Sequence, residues 1–238
     1  MKGVFFIVGP TASGKSELAA DVAAQLGAEI VNADAFQIYR GFEILTAKPD
    51  AATVAKAPHH LIGTIAISEE MNAEKFRRAA WQVLADVRGR GKPVLVVGGS
   101  GLYIKAVTHG LHRDWKKVDV DAAGVFVLRD RDELYERINR RVNAMFQRRV
   151  IEEVRAAGAT SATASKMIGL GEIRQMLEGR MSIFQCVAAI QQATRRYAKR
   201  QLTWFRHQTS FPPLNLSALT HKEAVQRISQ RARCSLAR

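Results

Sequence analysis

Apolar and polar positions along the 238 residues follow two rhythms. Residues 3–8 (GVFFIV) form a continuous apolar run, which predicts a strand buried on both faces, as in a parallel sheet. Residues 15–25 then place Leu18, Val22 and Leu26 at helical spacing, and Gly27 ends that helix. Residues 29–32 read as a short second strand running into Asp34. Residues 41–72 are mixed, with Pro49 and Pro58 as breakers. Residues 73–90 carry Phe76, Ala80 and Leu84 on one helical face. Residues 93–97 are another buried strand, a Gly-Gly-Ser-Gly turn follows, and a helix starts at Leu102. The polar stretch 112–121 reads as a connector and 124–128 as the last strand.

From Asp130 the rhythm is almost wholly helical. Leu134, Ile138, Val142 and Met145 line one stripe, and Ile190, Ala193, Tyr197, Gln201 and Trp204 line a later one. Residues 207–215 break the pattern, and a weakly amphipathic tail begins near Leu219. Strands alternating with helices predict an α/β fold with an open, mainly parallel sheet between two helical layers. The predicted division is a core over 1–128, a helical part over 129–206 that completes it, and a tail over 207–238.

The turn after the first strand is chemically specific. Gly9, Pro10, Thr11, Ala12, Ser13, Gly14, Lys15 and Ser16 spell GxxxxGKS between a strand and a helix. In such a P-loop, backbone N–H groups and the helix N-terminus face phosphate oxygens. Lys15 adds a mobile positive charge, and Ser16 a hydroxyl for Mg²⁺. ATP is the ordinary occupant, yet the strand 94–97 (VLVV) ends in glycine and not in the Asp of a nucleotide hydrolase. The glycines at Gly98, Gly99 and Gly101 allow close approach either to a second anion or to the loop itself, and Ser100 is placed to hydrogen-bond a phosphate oxygen. Asp34, just after the second strand, lies at the sheet edge where open α/β folds bind ligands, so it is a candidate catalytic carboxylate as well as a candidate helix cap.

Charge points the same way. Thirty-six basic residues against 22 acidic give +14 and a pI near 10.3, which suits a polyanionic partner. Arg195, Lys199 and Arg206 share a stripe, with Arg196 and Arg200 beside it. Arg137, Arg141 and Arg148 form a second stripe, and both suit a phosphate backbone. Cys186 and Cys234 make neither a disulfide framework nor metal spacing, and the histidines (His59, His60, His109, His112) lack further ligands. With no long apolar span, the expectation is a cytoplasmic, membrane-free monomer.

Several segments together resemble the tRNA dimethylallyltransferases: GPTASGKS, NADAFQIYRGFEILTAKPD, APHHLIG, GKPVLVVGGSGLYIKAVTHGL and TRRYAKRQLTWFR. They stand in the family's order over residues 1–111 and about 125–206. The resemblance implies transfer of a dimethylallyl group from dimethylallyl diphosphate to N6 of an adenine next to the anticodon of tRNA. Lys15 and Ser16, with Mg²⁺, would then stabilise the departing diphosphate. Asp34 would be the general base, Gln37 would contact the base, and Ser100 stands where the family usually has Thr. Ala35 replaces a Ser, with Phe36 beside it. Met167, Ile168, Gly169, Leu170, Gly171 and Glu172 occupy an adenine-binding motif in altered form, and Arg195, Lys199 and Arg200 would meet RNA. A short connector near 112–123 replaces the family's helical insertion. Alternative readings are prenylation of a free adenine nucleotide, a small-molecule P-loop kinase, or an RNA-binding protein without catalysis.

Overall fold

A computed structural model describes residues 3–109 and 122–236. Strand β1 (Val4–Val8) leads through the P-loop into α1 (Lys15–Leu26), which Gly27 ends with φ 60° and an N–H donated to Ala23 O. The chain continues through β2 (Glu29–Asn32), α2 (Ala51–Val54), β3 (His59–His60), α3 (Ala73–Gly89), β4 (Val94–Gly98), α4 (Gly101–His109) and β5 (Ala123–Leu128). Helices α5 (Arg131–Gln147), α6 (Val150–Ala156), α7 (Leu170–Leu177) and α8 (Ile183–Gln208) follow, then β6 (Pro213–Asn215) and α9 (His221–Leu236).

The six strands lie in the order β3-β2-β4-β1-β5-β6, and every neighbouring pair is parallel. Alternation along β1 divides the core. Phe5 and Ile7 face the layer of α1 and α9, whereas Val4, Phe6 and Val8 face the layer built from α3 to α8. Burial on both faces explains why β1 reads as unbroken apolar sequence.

Local chemistry fixes the helix starts. Asn72 accepts the Lys75 N–H at 2.9 Å at the head of α3. Ser182 and Gln185 exchange side-chain and backbone hydrogen bonds at the head of α8, at 3.2 and 2.8 Å. The predicted α5 stripe of Leu134, Ile138, Val142 and Met145 is the buried one. On α8 the buried positions are Cys186, Ile190, Thr194, Ala198, Gln201 and Phe205, so the predicted stripe is shifted by about one residue. Ala193, Tyr197 and Trp204 are half-buried along its edge, because α8 also packs against α5 and α4 on its flanks.

Strand β5 is not the last one. Leu214 and its neighbours in β6 pair with residues 126–128 of β5, within the stretch that reads as a break because its prolines hide the strand. Helix α9 buries Ala224, Val225, Ile228 and Ala232 against α1 and the sheet. His221 reaches Asp21 at 2.8 Å and Ser229 reaches Gln25 at 2.8 Å. Among the described residues no helix is long and apolar enough to cross a membrane. The connector residues 112–121, including His112, lie outside the described residues.

Candidate active site

The P-loop is held from three sides. Gly9 N donates to Gly98 O at 3.3 Å, tying the loop to the end of β4. A Cβ on Gly99 would stand 2.9 Å from Gly9 O and 2.3 Å from Gln201 Nε2, so only glycine fits there. Gln201 of α8 closes the join. Its Oε1 accepts the Thr11 N–H at 2.8 Å, and its Nε2 donates to Gly99 O at 2.8 Å. The glycine turn after β4 therefore packs against the loop, against Ala33 and against Trp204, which a Cβ on Gly101 would strike. Of the two roles open for it, contact with the loop is the one observed.

The third side is a row of arginines. Arg129 Nε donates to Ser13 O at 2.8 Å, Arg137 Nε to Ala12 O at 2.9 Å, and Arg141 Nη2 to Thr11 Oγ1 at 2.8 Å. This corrects the expected nucleic-acid stripe of Arg137, Arg141 and Arg148. The first two point into the loop, and of the three only Arg148 is exposed. Arg129 directly follows β5, and Arg137 and Arg141 stand one helical turn apart on α5, which brings all three to the loop. Arg141 Nε is buried and has no hydrogen-bond partner among the described residues. An unpaired buried guanidinium donor costs stability until an anion meets it.

Lys15 is 9% exposed and donates to Pro10 O at 3.2 Å. Burial pushes its ammonium from 10.5 down to about 8; Asp34 opposes the shift and Arg141 adds to it. Asp34 Oδ1 accepts the N–H groups of Phe36 at 2.9 Å and Gln37 at 3.3 Å. The carboxylate is thus a cap, as one reading had it, and also a wall of the site, with Oδ2 left for a ligand. Removal from water pushes up the hydroxyls of the buried Tyr103 and the half-buried Tyr197, and the negative charge of Asp34 adds to the effect on each.

Two cavities meet at Asp34. The larger, about 480 Å³, is lined by Thr11, Ala12, Gly14, Lys15, Ser16, Gln37, Arg137, Arg140 and Arg141, together with Pro49, Asp50 and Thr53. The smaller, about 60 Å³, is lined by Phe36, Leu45, Met145, Met167, Ile168 and Ile190. Thr11, Asp34, Thr46, Ala47 and Arg141 belong to both.

Several expected site residues lie elsewhere or are already engaged. Ser100 lines neither cavity; its N–H donates to Ala33 O at 3.3 Å and its carbonyl accepts the Ile104 N–H, so it starts α4. Gln37 Nε2 donates to Thr46 O and Ala47 O at 3.2 and 3.0 Å, which leaves its Oε1 for a base. Ala35 packs against the core. In the altered motif, Met167 and Ile168 reach the smaller cavity, but Leu170 is core and Glu172 Oε2 accepts the Gly169 N–H at 3.0 Å. Gly171 is exposed. Arg195 is bound to Asn139 Oδ1 at 2.6 Å, whereas Lys199 and Arg200 are exposed beside Trp204 and His207.

One residue that shapes the cavity wall carries no signal in a single sequence. Glu153 of α6 accepts the N–H groups of both Ile44 and Leu45 at 2.8 Å, across 109 and 108 residues. With Gln37 it fixes the turn at 44–47, where Ala47 adopts φ 50° on the cavity wall. His60 pairs with Glu29, and His59 with Ala57 O. No group of His, Cys, Asp and Glu among the described residues could by itself hold a metal ion.

A family model described as IPP transferase matches residues 37–123 and 113–208. The chain belongs to the IPP transferase family. Its two matched stretches overlap over residues 113–123. The tRNA dimethylallyltransferase of Phenylobacterium zucineum is 35% identical over 289 positions, covering 92% of this chain and 94% of that relative. Those positions outnumber the 238 residues here, so that relative carries segments with no counterpart in this chain. The tRNA dimethylallyltransferase 1 of Citrifermentans bemidjiense is 36% identical, covering 85% and 88%. Among solved structures, the tRNA isopentenylpyrophosphate transferase of Bacillus halodurans superposes with a TM-score of 0.88 at 26% identity, over 98% of this chain and 96% of that one. The α/β architecture with its parallel sheet is that of these IPP transferases.

Proposed function

We propose that this protein transfers a dimethylallyl group from dimethylallyl diphosphate to N6 of an adenine next to the anticodon in tRNA. The observation that carries the reading is the position of Asp34 at the seam of the two cavities, beside Lys15 and Arg141. A phosphate-binding chamber opens there onto an apolar one, with a single carboxylate between them. Lys15, the unpaired Arg141 Nε and the loop N–H groups would receive the diphosphate. As the allylic C–O bond breaks, its electron pair passes to a diphosphate oxygen, and these cations offset that charge. The N6 lone pair forms the new C–N bond, and the N6 proton passes to Asp34. The Phe36 and Gln37 N–H groups hold Asp34 Oδ1, so the carboxylate is oriented before the substrate arrives. An adenine edge lies inside stacked RNA, so the base must swing out to reach Asp34.

The donor set suits Mg²⁺ in a substrate-dependent way. Ser16 lines the larger cavity, and its hydroxyl would help hold the ion together with diphosphate oxygens and water. The ion would supply further charge neutralisation on the leaving group.

A second acceptor is favoured by one observation. Lacking segments that the relative carries, this chain has less surface to grip RNA, which suits a free adenine nucleotide. Competition between AMP and bulk tRNA for a limiting allylic donor, read by nucleoside mass analysis, separates the two. A product on tRNA supports the reading; a product only on AMP replaces it, and no product on either rejects both.

A further inference from the structure

The turn 44–47 is a wall of both cavities, because Thr46 and Ala47 line each of them and Leu45 lines the smaller one. Bonds within the segment set its shape: the Ala47 N–H donates to Ile44 O at 3.0 Å, and Thr46 Oγ1 to Phe42 O. Ala47 nevertheless holds φ 50°, a left-handed conformation that a residue with a Cβ keeps only where its surroundings fix it. Among the described residues, two side chains fix the turn to the rest of the fold by hydrogen bonds. Glu153 takes its N–H groups, from Ile44 and Leu45, at 2.8 Å each. Gln37 takes its carbonyls, with Nε2 donating to Thr46 O and Ala47 O at 3.2 and 3.0 Å.

Those two carbonyls decide which way round the Gln37 amide stands. Both are acceptors, so the NH₂ must face them, and turning the amide over would set Oε1 against two carbonyl oxygens. Gln37 is buried, lines the larger cavity and donates its own N–H to Asp34 Oδ1 at 3.3 Å, so the amide stands beside that carboxylate. It therefore offers a base an acceptor, Oε1, and no donor. An acceptor there suits an exocyclic amine and repels a carbonyl oxygen in the same place.

The polarity of Gln37 thus depends on where the Thr46 and Ala47 carbonyls stand, and their place depends on Glu153. We infer that Glu153 is a positioning residue for base selection. By holding the turn it locks the Gln37 amide as an acceptor, so the site takes a base with an amine at the reacting position and refuses one with a carbonyl there. This rests on the transferase reading above and adds a residue outside both cavities, carried on α6 more than 100 residues from the turn it holds. A glutamine at 153 keeps the volume but turns an NH₂ toward one of the two N–H groups. The turn is then released, and the Gln37 amide is free to turn over.

The test measures binding of two synthetic anticodon-arm RNA hairpins that differ only at the base next to the anticodon, adenine in one and hypoxanthine in the other. Inorganic pyrophosphate is present and the allylic donor is left out. Hypoxanthine carries a carbonyl where adenine carries its amine. The wild type is expected to prefer the adenine hairpin at least ~10-fold, the scale of one hydrogen bond made against one buried group left unpaired. In Glu153→Gln, shown to be folded by thermal melting, that preference should fall at least ~5-fold while pyrophosphate inhibition of transfer to bulk tRNA stays within about 3-fold. Gln37→Ala should lose the same preference, and adding Glu153→Gln to it should change the ratio by less than ~2-fold, because a residue that acts through Gln37 then has nothing to act on. An unchanged preference in folded Glu153→Gln overturns the inference, as does a further loss when the two changes are combined. So does a wild type without preference, or a loss of pyrophosphate affinity equal to the loss of preference. If Glu153→Gln does not fold, Glu153→Asp decides. It keeps both oxygens but withdraws them by one methylene, and should lower the preference at least ~3-fold; an unchanged ratio overturns the inference. These are binding results, so they stand apart from the transferase reading, which fails if the wild type prenylates neither tRNA nor AMP.

Discussion

Replacing Lys15 by Met should stabilise the free protein while abolishing transfer. The ammonium sits at 9% exposure with one hydrogen bond, to Pro10 O. Burial moves it from 10.5 to about 8, a penalty on the charged form of about 3 kcal/mol at neutral pH. Losing the hydrogen bond takes back about 1 kcal/mol. Met fills similar volume without charge, so the net gain is about 2 kcal/mol, or roughly 4–8 °C in melting temperature for a chain of this size. The sign with pH follows from the lowered value. Between about pH 8 and 10.5 the unfolded chain holds the Lys15 proton and the folded chain releases it, so wild-type stability rises with pH across that window. The advantage of the variant is therefore full below about pH 8 and fades toward 10.5. Thermal melts of both proteins at pH 7 and pH 10 measure this, and a transfer assay should show a loss of at least ~10²-fold. A variant less stable than wild type at pH 7, or an advantage that does not shrink at pH 10, would refute the reasoning.

Other consequences can be checked separately. The same lysine should give a basic limb near pH 8 in kcat/KM for the allylic donor, displaced upward in kcat because bound diphosphate favours the charged form; coincident limbs would contradict this. Gln201→Leu leaves the Thr11 N–H and Gly99 O unpaired in the core, and should cost about 2–4 kcal/mol in chemical denaturation. Arg141→Gln should raise KM for the donor and weaken pyrophosphate inhibition at least ~10-fold, since it removes a charged donor aimed at the phosphates. Arg149 holds φ 70° at the head of α6, and its ion pair with Glu152 is exposed and long at 3.7 Å. Arg149→Gly should therefore add about 0.5–1 kcal/mol, and a measured loss would show that the arginine has a contact of greater worth.

The sheet and the loop were legible because their signals are local. Five consecutive apolar residues in β1 and the glycine-lysine-serine run need no partner to be recognised. The α5 stripe was equally clear, since four apolar residues at helical spacing permit one orientation. The opposite orientation of Arg137 and Arg141 was not. Arginines on a helix read as solvated or nucleic-acid-facing unless the anion-binding loop beneath them is known, and Thr11 and Arg141 are 130 residues apart. Glu153 and Gln201 escaped for the same reason: each acts through hydrogen bonds to backbone more than 100 residues away. Strand β6 escaped because Pro213 stands at its start, which an edge strand tolerates but a sequence pattern scores as a break. Of the residues the family resemblance singled out, Asp34 and Gln37 line the larger cavity, whereas Ser100 starts α4, Glu172 accepts the Gly169 N–H and Gly171 is exposed.

The central claim is that Asp34 removes the proton from an adenine amine while Lys15 and Arg141 hold the diphosphate. Incubation of wild type and Asp34→Asn with dimethylallyl diphosphate and bulk tRNA tests it most directly, with prenylated adenosine and released diphosphate both quantified. The account predicts equal amounts of the two products from wild type. It predicts a loss of at least ~10²-fold for Asp34→Asn, whose affinity for pyrophosphate should persist. Equal transfer by Asp34→Asn and wild type, or no prenylated adenosine from wild type, would contradict it.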